Sequence, residues 1–406
     1  VTFGLPRYSI FAAMLAMAGL PIYIHAPKFY VDSYGVGLAA LGAVLAGLRL
    51  IDVVQDPVLG WLAQRVRRYR GASVMVGGVL MAVSMVGLFA VPPPLPPVVW
   101  FGLTLTGLFS GFSFLTITFY AQGVQKADVI GAGGHVRLAT WRETGALLGV
   151  CIAAVAPTVL IGTGAPFALF AWGFVGLAAL AVFAMAREWQ GAPVAQMETG
   201  LAHILRDRLA RRLLLIALVN ATPVAVTSTL FLFFVESRLA APGAEGPLLL
   251  LFFLSAAVSA PLWGRIAVRI GAKRALLAGM GLAILSFGYA AFLGAGDVAA
   301  FAVICFASGV ALGADLTLLP AIFATRMAQI APNPEQGFGL WSFVTKVTLA
   351  IAALTLLPVL EFSGFQPGQP NAEPALFMLT ALYAVLPCVL KFLALALFAG
   401  TTIERG

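Results

Sequence analysis

The stretch DPVLGWLAQRVRRYRG, Asp56–Gly71, closes a long apolar run with a cluster of arginines. Much later in the chain APLWGRIAVRIGAKR, Ala260–Arg274, does the same. Under one constant offset Gly60 falls on Gly264, Ala63 on Ala267 and Arg65 on Arg269, and that offset is close to half the chain length. Two halves built on one frame point to a duplicated bundle of membrane-crossing helices, with the repeats related by an axis along the membrane normal.

Composition agrees. Of 406 residues 61% are hydrophobic and 10% are charged, with a mean hydropathy of +1.00. Apolar runs long enough to cross a hydrocarbon core of about 30 Å recur throughout. Polar and Gly/Pro-rich breaks divide them into twelve expected helices, at 8–30, 37–63, 72–92, 98–122, 138–162, 165–186, 212–236, 244–268, 275–294, 298–325, 337–360 and 375–399. The first reads as a spanning helix rather than a removable signal. The expected fold is therefore all-α, two six-helix bundles (1–187 and 212–406) joined by a linker at 188–211. Within that linker LAHILRDRLARRL has amphipathic spacing, which predicts a helix on the membrane surface.

The net charge of +8 is a topology signal rather than a nucleic-acid patch. Arg65, Arg67, Arg68 and Arg70 lie in one inter-helix loop, Lys126 and Arg137 in another, and Arg265, Arg269, Lys273 and Arg274 in a third. Arg187, Arg206, Arg208, Arg211 and Arg212 crowd the linker. The alternate loops are nearly free of basic residues: PPPLPP has none, while GAGD and EFSGFQPGQPNAEP carry only acids. The positive-inside rule then places both termini in the cytoplasm. Cys151, Cys305 and Cys388 sit in apolar runs without metal-ligand spacing, and His25, His135 and His203 are scattered, so no metal cluster or cofactor is implied. No nucleophile–base arrangement suggests an enzyme.

Inside the second expected helix, LRLIDVVQDPVLGW carries Arg49, Asp52 and Asp56. Intramembrane carboxylates cost at least about 2.5 kcal/mol each, so they default to function. Asp52 and Asp56 share a helix face one turn apart, and their mutual repulsion is relieved by a bound cation or a shared proton. The alternative is a static pair neutralised by Arg49. Pro57 removes a backbone donor and frees a carbonyl nearby, which suits a cation site. At the repeat offset the acids fall on Ala256 and Ala260, so only the first half carries them. Asp315, mid-helix in SGVALGADLTLLP, also needs a buried partner, for which Lys346 is the candidate; the pair is expected to couple ion occupancy to motion or to be structural. Arg142 and Glu143 open the fifth helix, as a cavity pair or a salt bridge in a gating network. Lys28, Glu236 and Arg238 fall at outer helix ends and read as snorkelling or gate residues.

The turn GWLAQRVRR and the two-halved organisation resemble the major facilitator superfamily. RLIDVVQDPVLGW is more specific: it resembles the Arg-x-x-Asp-x-x-x-Asp-Pro-x-x-Gly-Trp signature of the glycoside–pentoside–hexuronide:cation symporters, the melibiose permease family. GLWSFVTKVTLAIAAL, with Lys346 at the family's helix 11 lysine, and GADLTLLPAIFATR are similar as well, the latter departing at Ala324-Thr325-Arg326. The resemblance implies a sodium site at Asp52, Asp56, Gln55 and Ser113, with Gln55 replacing an asparagine. It places the two sugar-binding aspartates at Ala16 and Thr116, where this chain has none, and an arginine of the ligand cavity at Arg142. Thr116, Thr118 and Tyr120 remain beside the helix 4 position, which suits a less hydroxylated or amphipathic solute.

The function expected is cation-coupled symport of a small organic solute by alternating access, driven by Na⁺ or H⁺, in a monomer of a bacterial inner membrane. Arg49, Glu143, Asp315, Arg65, Arg68 and Arg269 are the coupling and gating candidates. A lysolipid or amphiphile carrier of the same fold, and a non-transporting membrane assembly factor, are the alternatives.

Overall fold

The computed structural model describes residues 4–189, 200–331, 334–366 and 369–403. The described elements are helical, as a bilayer demands of any chain segment that must satisfy its own backbone hydrogen bonds. They are α1 (Leu5–Met17), α2 (Leu20–Tyr34), α3 (Leu38–Arg65), α4 (Arg70–Phe89), α5 (Pro97–Ile130), α6 (Gly134–Val159), α7 (Pro166–Met185), α8 (Leu201–Arg206), α9 (Arg208–Phe233), α10 (Glu245–Ile270), α11 (Ala272–Gly288), α12 (Val298–Ile330), α13 (Glu335–Phe362), α14 (Glu373–Thr380) and α15 (Leu386–Ala399). Among the described residues ten helical stretches are long and apolar enough to cross a membrane. The chain is thus a multi-pass integral membrane protein.

The two remaining expected spans are the unusual ones. The first, 8–30, is broken into α1 and α2 at Ala18–Gly19, and α2 ends at Gly35, whose φ of 65° is the left-handed turn that favours glycine. The second is α3, which continues unbroken through Pro57 and carries Arg49, Asp52 and Asp56 within it. α5 has 34 residues and α12 has 33. At 1.5 Å per residue each is about 50 Å long and overshoots a bilayer core. No breaker halts α5 until Gly131, at φ 83°.

The expected amphipathic surface helix is shorter than its spacing suggests. α8 has six residues. Asp207 then interrupts it and caps α9, its carboxylate accepting the Ala210 N–H at 2.7 Å. The second half of LAHILRDRLARRL therefore belongs to α9, and the linker residues 190–199 lie outside the described part.

The chain divides into two compact units: Val1–Ile204 with Ala324–Phe343, and Leu205–Phe323 with Val344–Gly406. In unit one, α1 lies on α6 at backbone contact. A β-carbon at Gly145 would stand 2.2 Å from the Ser9 carbonyl oxygen, and one at Gly149 2.4 Å from that of Ala13. Small residues set such distances in membrane helix pairs, where packing rather than water expulsion drives association. Tyr8, Phe11, Met81, Phe101, Leu115 and Phe119 fill the core of this unit. In unit two, Phe231, Phe234, Phe301 and Tyr383 do the same, with Phe234 and Tyr383 stacked at 4.1 Å. Tyr383 lies in a π-helical turn, Ala381–Val385. Pro387, four residues on, has no N–H to bond back to the Tyr383 carbonyl.

Candidate functional site

Arg49, Asp52 and Asp56 project from one face of α3 because they recur every three or four residues. Asp52 is 5% exposed and Asp56 is fully buried. Gln55 Nε2 donates to Asp52 Oδ1 at 2.7 Å, while Ser110 Oγ, on α5, donates to Gln55 Oε1 at 2.9 Å. On the other acid, Ser342 Oγ of α13 donates to Asp56 Oδ2 at 2.6 Å. Ser113 is fully buried one turn beyond Ser110. The site thus combines two carboxylates, three hydroxyls and one amide. All-oxygen ligands of this kind suit a hard cation, and the carboxylates equally suit a proton. Gln55 now turns its N–H toward Asp52; turned end over end, the amide would offer that side its carbonyl oxygen instead. Among the described residues no group of three or more His, Cys, Asp and Glu forms a further metal candidate.

Ser342 reaches Asp56 because two glycines let the backbones of α3 and α13 touch. A β-carbon at Gly60 would stand 3.1 Å from the Glu335 carbonyl oxygen, and one at Gly339 3.0 Å from that of Asp56. One end of this contact is held by charge. Arg70 Nη2 pairs with Glu335 Oε1 at 2.5 Å, and Arg70 Nη1 donates to Gln122 Oε1 at 2.5 Å. Arg70 is 7% exposed and Glu335 1%. The arginines singled out in the sequence lie elsewhere: Arg65, Arg68 and Arg269 are exposed, Arg65 over the Trp61 ring and Arg68 over that of Tyr69.

A second polar cluster joins α5 to α6. The Arg142 guanidinium lies 3.6 Å from the centroid of the Tyr120 ring. Its Nε donates to Glu143 Oε1 at 2.7 Å, and the Tyr120 hydroxyl donates to the same oxygen at 2.9 Å. Neighbours on a helix diverge by about 100°, yet both long side chains bend to meet. Arg142 Nη2 and Thr116 Oγ1 are buried without a hydrogen-bond partner among the described residues. Ala16 is half-buried in the last turn of α1.

Unit two corrects one expectation. Asp315 Oδ2 accepts from Lys391 of α15, not from Lys346, and Lys391 also donates to Asn220 Oδ1 of α9 at 2.7 Å. The cause is topological. α9 and α15 pack closely, so Lys391 and Asn220 come together although far apart in sequence. Lys346 lies half-buried on α13. Ala256 and Ala260, the counterparts of the acids, are fully buried. α10 binds α12 there instead, with Trp263 Nε1 donating to the Val310 carbonyl at 2.7 Å.

Ser110 and Ser342 join Ser113 at the site without a mark in the sequence. Ser110 stands three residues before Ser113, and Ser342 lies inside GLWSFVTK, yet neither carries a charge to draw notice. In the sequence Arg70 is one basic loop residue among four. Glu335 had no visible partner.

The sequence matches the family described as MFS/sugar transport protein over residues 7–405. No curated protein matches it. Among solved structures, the fold is similar to a bacterial homologue of the iron transporter ferroportin in its outward-facing state, with a TM-score of 0.71 and 14% identity over 97% of this chain and 98% of that one. A second crystal of such a homologue, soaked with iron, gives 0.71 and 13% over the same shares. With its described helices and a family match over nearly its whole length, the chain belongs to the MFS/sugar transport protein family and is a membrane transporter, not an enzyme.

Proposed function

We propose that this transporter is a cation-coupled symporter in which Asp52 and Asp56 hold the coupling ion, Na⁺ or H⁺. The observation that carries the reading is the burial of both acids on one face of α3, with Gln55, Ser110 and Ser342 bonded to them or to each other. Two like charges one helical turn apart repel, and cation or proton occupancy relieves that repulsion. Ion binding then favours whichever state of the protein holds the pair tighter, and a solute that prefers the same state is carried with it. Twelve helices in two six-helix halves, cytoplasmic termini, a monomeric state, a bacterial inner membrane and alternating access complete the proposal. So does the resemblance of RLIDVVQDPVLGW to the melibiose permease family.

The solute contacts assigned to this reading are Thr116, Tyr120, Arg142 and Lys346. Sugar aspartates are missing at Ala16 and Thr116, so the solute carries fewer hydroxyls than a pyranoside or is amphipathic. The deciding experiment is uptake into proteoliposomes under an imposed Na⁺ or pH gradient, screened against sugars and lysolipids. Gradient-driven uptake should vanish in Asp52→Asn and Asp56→Asn while the proteins remain folded. Full gradient-driven uptake in the double variant would end the proposal.

A further inference from the structure

Unit two contains a cavity of about 70 Å³ that the acid pair on α3 plays no part in. Its walls are apolar, including Phe252, Ile284, Phe287 and Leu312, and Asp315 and Lys391 form its polar end. Both charged residues are buried, at 7% and 5% exposure. We propose that this cavity is a binding site for a small neutral amphiphile, an apolar body ending in a hydroxyl or similar donor–acceptor group seated between Asp315 and Lys391.

The hydrogen-bond inventory of the pair gives the head group. Asp315 Oδ2 accepts from Lys391, while Asp315 Oδ1 is buried with no partner among the described residues. The Lys391 ammonium has three N–H groups and uses two, on Asp315 and on Asn220 Oδ1. One acceptor and one donor therefore remain side by side. A buried polar atom without a partner is costly, so a ligand that satisfies both gains from each.

The charge balance excludes the ionic alternatives. The pair is neutral overall. An anion would meet the Asp315 carboxylate and a cation the Lys391 ammonium, each unfavourably at this burial. A hydroxyl donates to Asp315 Oδ1 and accepts from Lys391 at once. The walls fix the rest, since a water at the polar end would leave the apolar surface beyond it unfilled, and that surface takes an alkyl or aryl body. The cavity volume limits that body to a short chain.

The test is photolabelling of the full protein in lipid nanodiscs with a diazirine-bearing hexanol and the matching diazirine-bearing hexane. Adducts are mapped by mass spectrometry, with lipid-facing peptides elsewhere normalising for partition. The alcohol should label the peptides holding Ile284–Phe287 and Pro387–Lys391 about tenfold more than the alkane, the discrimination that a satisfied buried polar pair provides. Asp315→Leu alone strands a buried ammonium, so the informative change is Asp315→Leu with Lys391→Met, which keeps the cavity and removes its polar end. There the excess for alcohol should vanish while alkane labelling persists. Ala283→Trp fills the cavity from its wall and should abolish labelling by both probes. Equal labelling by alcohol and alkane in the unaltered protein overturns the proposal. An alcohol excess that survives the double variant, or no labelling of the cavity peptides by either probe, overturns it too.

Discussion

Glu335 Oε1 lies 2.5 Å from Arg70 Nη2, and both side chains are almost wholly buried. Residues 324–343 come from the second half of the sequence yet belong to unit one, and this pair is one of the bonds that hold them there. Asp56–Ser342 is another.

Removing one partner of a buried pair leaves an uncompensated charge and costs about 3–5 kcal/mol, whereas replacing both with apolar side chains is often neutral. Arg70→Met and Glu335→Leu should each lower the melting temperature of the purified protein sharply, and the two together should recover most of it. A double-mutant cycle built on thermal unfolding reads the coupling directly. If the double variant is as unstable as the worse single one, the pair is not what anchors the segment.

The α1–α6 contact carries the second prediction. At Gly145 an added β-carbon would meet Ser9 backbone at 2.2 Å, and no flexible side chain is there to yield. Gly145→Ala should therefore push the helices apart and destabilise the protein by several kcal/mol, at or beyond the upper end of ordinary overpacking, about 1–3 kcal/mol. Gly162→Ala, where nothing lies within 4 Å, is the matched control and should leave the melting temperature unchanged. Equal melting of the two variants would show that α1 can retreat from α6 at no cost.

What could be read in the sequence was whatever charge and hydropathy mark. Membrane helices announce themselves by length, and buried acids such as Asp52, Asp56 and Asp315 by their cost. Partners are a different matter. Lys391 and Asn220 meet Asp315 through the packing of α9 against α15, and nothing in the spacing of three distant residues states that. The same holds for Ser342 on Asp56: a hydroxyl is cheap to place in a helix, where it bonds back to the preceding turn, so its sequence signal is weak. Even α8 failed for a local reason, since Asp207 caps more strongly than an amphipathic pattern propagates.

Gln55 carries the last prediction. It is bonded both to an acid of α3 and to α5, donating to Asp52 Oδ1 and accepting from Ser110 Oγ. Gln55→Asn keeps the amide but shortens its reach by one methylene, so it can serve Asp52 or Ser110 and not both. Ser110→Ala keeps Gln55 on Asp52 and frees the amide to turn, which presents the carbonyl oxygen to a cation more readily. The two changes should therefore move ion dependence in opposite directions. Gln55→Asn should raise the Na⁺ or H⁺ concentration for half-maximal uptake about tenfold, the equivalent of about 1.4 kcal/mol. Ser110→Ala should lower it or leave it unchanged, and neither should alter the melting temperature by more than a surface substitution does. Uptake measured at a series of fixed ion concentrations in proteoliposomes separates the cases. Parallel shifts in both variants would mean that Gln55 only braces α3 against α5 and takes no part in holding the ion.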